Sequence, residues 1–138
     1  MQGPELPIPN CLHTMINMGD EKIMVIGGMY FSPETFIYNR TQEAWSVGPS
    51  LNQGRNSHAS GIVTDELTKE KLAIVTGGWR WLSVEGGHQE VGVKTTEILK
   101  ADIWVSGNFL SVSGNLHFCT LLMLILFSTL SCIYLSPF

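Results

Sequence analysis

Few side chains in this chain have a type and spacing that chemistry would require. Four histidines, His13, His58, His88 and His117, are potential metal ligands by residue type. Three cysteines, Cys11, Cys119 and Cys132, are odd in number and show no C-x-x-C spacing, so no disulfide framework or zinc ribbon is readable. Free buried thiols suit a reducing compartment. The triplet Gly86-Gly87-His88 is too short to cradle a phosphate, and no G-x-S-x-G, H-E-x-x-H or P-loop occurs. Asn39-Arg40-Thr41 fits a glycosylation sequon, but chance supplies such triplets often and no signal peptide is visible at the N-terminus. The expectation is a protein without catalytic residues, metal or cofactor.

The spacing of the histidines has another explanation. Trp45 is followed by Gly48, Leu51 and His58, at offsets of 3, 6 and 13, and Trp104 by Gly107, Leu110 and His117 at the same offsets. Gly3, Leu6 and His13 keep the later part of the same pattern. Gly27-Gly28 and Gly77-Gly78 close two apolar runs, 23–26 and 72–76, and lie 50 residues apart. A period of that size marks a repeat architecture. His13, His58 and His117 are thus repeat positions, and His88 has no ligand partner near it in sequence.

At these residues the chain resembles the kelch family, whose unit runs from Arg-x-x-His through an apolar strand ending in Gly-Gly to a Tyr and a Trp. Arg55-Asn56-Ser57-His58, Gly27-Gly28 with Tyr38 and Trp45, and Gly77-Gly78 with Trp104 carry the resemblance, which spans residues 3–117. Asn10 and Gly114 stand where the arginine would be, and Ile98-Leu99 replace the tyrosine of the second unit. The resemblance implies an all-β fold: two four-stranded antiparallel kelch-type blades of an incomplete β-propeller, followed by an apolar C-terminal segment. Residues 1–16 would hold the end of a preceding blade and the start of the first repeat. Repeat 1 would span 12–56, repeat 2 57–116, and the tail 117–138. Some relatives are copper oxidases that pair Tyr and Cys with two His, and no such set is identifiable here.

The elements that must position these residues read as strands. Segments 22–26 and 71–76 are short, rich in β-branched residues and bounded by turn signals. Segments 35–38 and 95–99 read as third strands, 44–47 and 102–105 as fourth strands, with turns at 20–21, 39–43 and 65–70. Four strands make one propeller blade. The diglycines would allow positive φ and a close backbone approach near the axis. Tyr38 and Trp45 would pair across the turn at 39–43 and fill the wedge between blades.

Binding is the function this organisation implies. The stretch 79–93 reads as a long loop between the second and third strands of the second unit. It carries Trp79-Arg80-Trp81, residue types enriched at binding hot spots, although one of these rings is also expected to tuck beneath the loop. Arg55, Trp79, Arg80 and Trp81 are expected to flank one partner-binding face, because fourth-to-first and second-to-third connections open on the same side of a propeller. The expected partner is a protein; the family's propellers serve as ubiquitin-ligase substrate receptors and as cytoskeletal or signalling adaptors. Self-assembly is also open, since two units leave both outer sheet faces uncovered.

Charge excludes other classes. Lys and Arg number 8 against 12 Asp and Glu, a net charge of −4 without any basic run, so nucleic acid is not an expected partner. No charged residue occurs in 103–138, and 118–135 is an 18-residue run without charge, Gly or Pro. Three readings compete for this tail. It is an abnormal ending encoding an unselected segment, a C-terminal membrane anchor at the lower limit of length, or a divergent third blade. The abrupt loss of charge and of repeat residues favours the first. A cytoplasmic location is expected, with membrane anchoring through 118–135 as the alternative. If the ending is abnormal, the chain is a truncated product without independent function.

Overall fold

A computed structural model describes residues 3–65 and 67–107 of the 138-residue chain. His117 and the 118–135 run lie outside the described residues, as do the three readings of the tail. Ten strands and a single 3-10 turn, Met29–Phe31, make up the described chain. In chain order the strands are β1 (Thr14–Gly19), β2 (Lys22–Ile26), β3 (Thr35–Asn39), β4 (Ala44–Val47), β5 (Ala59–Thr64), β6 (Lys71–Thr76), β7 (Trp79–Val84), β8 (Gly87–Gly92), β9 (Thr96–Lys100) and β10 (Ile103–Gly107). The first sheet is β1-β2-β3-β4 and the second is β5-β6-β9-β10, both antiparallel throughout. β7 and β8 form a separate hairpin between β6 and β9. The all-β expectation holds, and β2, β3, β4, β6, β9 and β10 fall within a residue or two of their predicted places. The sheets form no closed ring among the described residues.

Local chemistry explains the tight turns. Asp20-Glu21 (φ 48° and 60°) and Ala101-Asp102 (φ 49° and 60°) each join two strands with both turn residues at positive φ. That conformation matches the right-handed twist of the strands it connects. Asp65 opens the β5–β6 turn by accepting the amides of Leu67 (2.8 Å) and Thr68 (3.1 Å), an arrangement that Asp side chains favour. Those two N–H groups hold the exposed Asp65 carboxyl below its ordinary pKa.

The core lies between the two sheets. Side chains alternate across a strand, so Ile16, Met24 and Ile26 share one face of the first sheet. They pack with Ala73, Val75, Leu99 and Trp104 from the facing side of the second, together with Leu51 from the connecting segment. The diglycines permit the close approach the sequence implied, but by a particular route. The segment entering β5 passes between Gly27-Gly28 and Gly78. A Cβ at Gly27 (φ +59°) would lie 2.6 Å from the Arg55 carbonyl oxygen and 2.9 Å from His58 Cε1. One at Gly78 (φ +87°) would meet the Asn56 carbonyl and His58 Cβ. Gly77 has open space around it and needs glycine only for its φ of +68°.

Matching bonds occur in the two four-stranded sheets. Cross-strand register makes Tyr38–Trp45 equivalent to Leu99–Trp104. The indole of Trp104 donates to the Pro49 carbonyl at 2.8 Å, and that of Trp45 donates to the Pro4 carbonyl at 3.3 Å. Pro4 and Pro49 each follow the repeat glycine directly. The surroundings differ, and they correct one expectation. Trp104 is 2% exposed within the core, whereas Trp45 is half-buried against Tyr38, at a centroid distance of 5.1 Å on the outer face of the first sheet. Trp45 fills no wedge between sheets here, because the second sheet packs on the opposite face. Trp104→Ala should therefore cost about 3–5 kcal/mol and Trp45→Ala only about 1–2 kcal/mol, read from urea unfolding midpoints. Equal costs would contradict this difference in burial.

Candidate functional site

Two assemblies hold the residues singled out in sequence, one buried and one exposed. The buried one is the connector between the sheets, residues 48–58. Arg55 and Glu97 form an ion pair at 2.6 Å with both side chains fully buried. Arg55 Nη1 also donates to the carbonyls of Gly77 (3.1 Å) and Thr95 (3.0 Å), Nε to the Gln53 carbonyl (3.2 Å), and Nη2 to Thr95 Oγ1 (3.3 Å). Glu97 accepts the backbone amides of Asn52 (2.7 Å) and Gln53 (3.1 Å). A buried charge is tolerable only when paired and hydrogen-bonded in this way. Burial pulls the Arg55 guanidinium below its ordinary pKa, and Glu97 opposes that pull.

This placement corrects the expectation that Arg55 lines a binding face. Its donors point into the protein and are spent on the connector and the β6–β9 backbone. The equivalent residue Asn10 does a smaller version of the same work. Its amide donates to the Gly27 carbonyl at 2.8 Å, as Arg55 does to Gly77, and its oxygen accepts the Met29 amide at 2.9 Å.

His58 is buried beside this connector, its Nε2 2.8 Å from Thr14 Oγ1 at the start of β1. It links the entry strands of the two sheets. Burial, reinforced by the positive charge of Arg55 and then of His13, lowers its pKa to about 4. Neither His58 nor His13 joins a metal site: no group of three His, Cys, Asp or Glu is suitably placed among the described residues. Cys11 is exposed.

The exposed assembly is the β7–β8 hairpin. The stretch 79–93, read from sequence as a loop, is regular strand over most of its length. Residues 79–84 alternate two sets of side chains, Trp79, Trp81 and Ser83 against Arg80, Leu82 and Val84, and Gly86 (φ +90°) supplies the reversal. Backbone bonds in both directions between Asn56 and Trp79, at 3.0 Å each, fix its base to the connector. A bond from the Val93 amide to the Gly78 carbonyl, 2.8 Å, closes it. Trp79 and Trp81 remain 48% and 49% exposed, Arg80 is half-buried, and Tyr30 in the neighbouring 3-10 turn is 82% exposed. Trp81 alone is anchored by ring contacts, with Phe31 edge-on at 4.8 Å and His88 at 5.8 Å.

The connector, the 3-10 turn and the hairpin meet at one end of the sheets, through backbone bonds of Asn56 with Trp79 and of Gly28 with Arg55. Tyr30 and Phe31 were not singled out in sequence, and only their aromatic type hinted at a role. Glu97 was missed too, since an acid inside a strand segment normally marks a solvent face.

Together these features define an all-β protein of two stacked four-stranded antiparallel sheets with a projecting aromatic hairpin. Comparison with protein-family models and with curated proteins finds no match. Among the described residues no helix is long and apolar enough to cross a membrane.

The buried pair should be felt strongly. Arg55→Met or Glu97→Leu alone is expected to cost about 3–5 kcal/mol, with much of that recovered in the double variant. A double-mutant cycle in urea measures it, and additive losses would contradict the pairing. The histidine gives a pH signature. Its folded pKa lies below its unfolded value of 6.5, so its contribution is complete above pH 6.5 and is lost as pH falls through about 4. The wild type should lose on the order of 3 kcal/mol more than His58→Gln across that window. Parallel pH–stability curves for the two proteins would contradict this.

Proposed function

We infer that this chain is a protein-interaction module of kelch type, its two sheets serving as blades of a propeller scaffold in an adaptor. What supports the kelch reading is duplication at the level of bonds: indole to proline carbonyl, and a side chain to the first diglycine carbonyl, at equivalent positions of both units. What supports binding over catalysis is the character of the two assemblies. The buried Arg55 and Glu97 side chains are tied to each other and to backbone, and the exposed assembly is aromatic.

The observation that carries the reading is that the β7–β8 hairpin, which has no counterpart in the first unit, is also the element exposing two tryptophans. Large rings at about half exposure, on a short hydrogen-bonded hairpin, provide apolar area of the kind that makes tryptophan frequent at binding hot spots. Arg80, between them on the same strand, places a charged donor on the opposite face of the hairpin. A photo-reactive side chain at Ser83 of the full-length protein would capture the partner in cells. Trp79→Ala and Trp81→Ala should each weaken binding of that captured protein by roughly tenfold or more, while Trp45→Ala leaves it unchanged. Unaltered affinity in both hairpin variants would contradict the proposal.

A further inference from the structure

The two faces of the hairpin differ in kind. Cross-strand register sets Trp79 opposite Gly92, Trp81 opposite Glu90 and Ser83 opposite His88, so these six residues share one face. Arg80, Leu82 and Val84 lie on the other. On the first face the two indoles stand two residues apart on one strand, about 7 Å. Trp79 has no side chain across from it, because Gly92 offers only backbone with open space around its missing Cβ. Trp81 has the Glu90 carboxylate directly across, and its ring is held by Phe31 and His88. Tyr30, exposed on the adjoining turn beside Phe31, is a further ring at the margin.

Two half-exposed indoles with an acidic residue across the strand from one of them make a particular chemical environment. The negative face of an indole attracts a cation, best of all the aromatic side chains, and the attraction grows when the cation leaves water. A carboxylate adds a full opposite charge. The arginine of the hairpin, Arg80, projects from the opposite face by strand alternation and does not occupy the site. The protein as a whole carries a net charge of −4, which favours approach of a basic partner.

Resting on the reading of the hairpin as the binding element, we propose that its Trp79–Trp81–Glu90 face takes a cationic side chain, Lys or Arg, from a basic segment of the partner protein. The two rings grip the cation and its aliphatic stem, and Glu90 fixes its charge. The slot over Gly92 is where that stem enters.

The test uses the full-length chain and two fluorescein-labelled synthetic octapeptides, one carrying lysines spaced by glycine and serine, the other its lysine-acetylated counterpart. Fluorescence anisotropy should show binding of the lysine peptide and a loss on the order of tenfold on acetylation. Trp79→Ala and Glu90→Gln should each produce a loss of similar order, while Glu43→Gln, on the turn between β3 and β4, changes nothing. Hydrogen-exchange protection of β2 and β6 in each variant confirms that the fold is retained. Equal binding of the acetylated peptide, or wild-type affinity in Glu90→Gln, would overturn the proposal. So would an equal loss in Glu43→Gln, which would reduce the attraction to bulk charge. If the basic peptide fails while a protein captured at Ser83 is still released by Trp79→Ala, the cation site is wrong and the hairpin reading stands. If the captured protein is also indifferent to Trp79→Ala, both are wrong.

Discussion

The Arg55–Glu97 ion pair is the constraint on which the rest of this structure depends. Both groups are completely enclosed, so each would impose a heavy desolvation cost if its partner were displaced. Arg55 reaches the Gly77 and Thr95 carbonyls on either side of the hairpin insertion, and Glu97 reaches back to two amides of the connector. One pair of charges thereby fixes the connector to the second sheet and sets the mouth from which the hairpin emerges. The same connector is bound to the first sheet through Gly28 and Pro33, whose backbone groups bond to Arg55 and Leu51. A segment without regular structure becomes the joint between two sheets.

That joint accounts for the unequal fate of repeated residues. Glu97 and Phe36 occupy equivalent strand positions by register, as do Arg55 and Asn10 by spacing. The second unit has a long charged residue reaching a buried acid. The first has a short amide at the one position and a phenyl ring at the other. Both solutions hold the first carbonyl of a diglycine, but only the charged one ties in a connector from another sheet. Trp104 is enclosed between the sheets while Trp45, bonded in the same manner to Pro4, stays on the outer face of the first sheet.

Much of the framework was legible in the sequence. Apolar runs ended by Gly-Gly gave β2 and β6 to the residue, because a backbone that must pass another closely leaves glycine as its mark. The Trp–Gly–Leu–His spacing indicated equivalent positions, and the duplicated indole–carbonyl bonds are consistent with that. Arg55 was misread as a surface contact because its place in a fourth-to-first connection was taken to put it at a binding face. Its burial depends on Glu97, 42 residues away, and pairwise burial of that kind leaves no local periodicity. The segment 79–93 was misread as a loop because three glycines and a histidine interrupt it, and apolar and polar residues alternate cleanly only over 79–81. The turn at Tyr30 and Phe31 offered only its aromatic type as a signal, and its place became evident once the hairpin set Trp81 against Phe31.

The central claim is that the connector is structural core, held by buried charge, and that the hairpin is a comparatively independent surface element. Native-state hydrogen exchange on the full chain tests it residue by residue. The amides of Asn52 and Gln53, bonded to Glu97, and of Gly28, bonded to Arg55, should exchange as slowly as those of β2 and β6, with the hairpin amides beyond Trp79 markedly faster. Connector amides that exchange as fast as the hairpin would contradict the account, since the buried pair would then not be holding the sheets together.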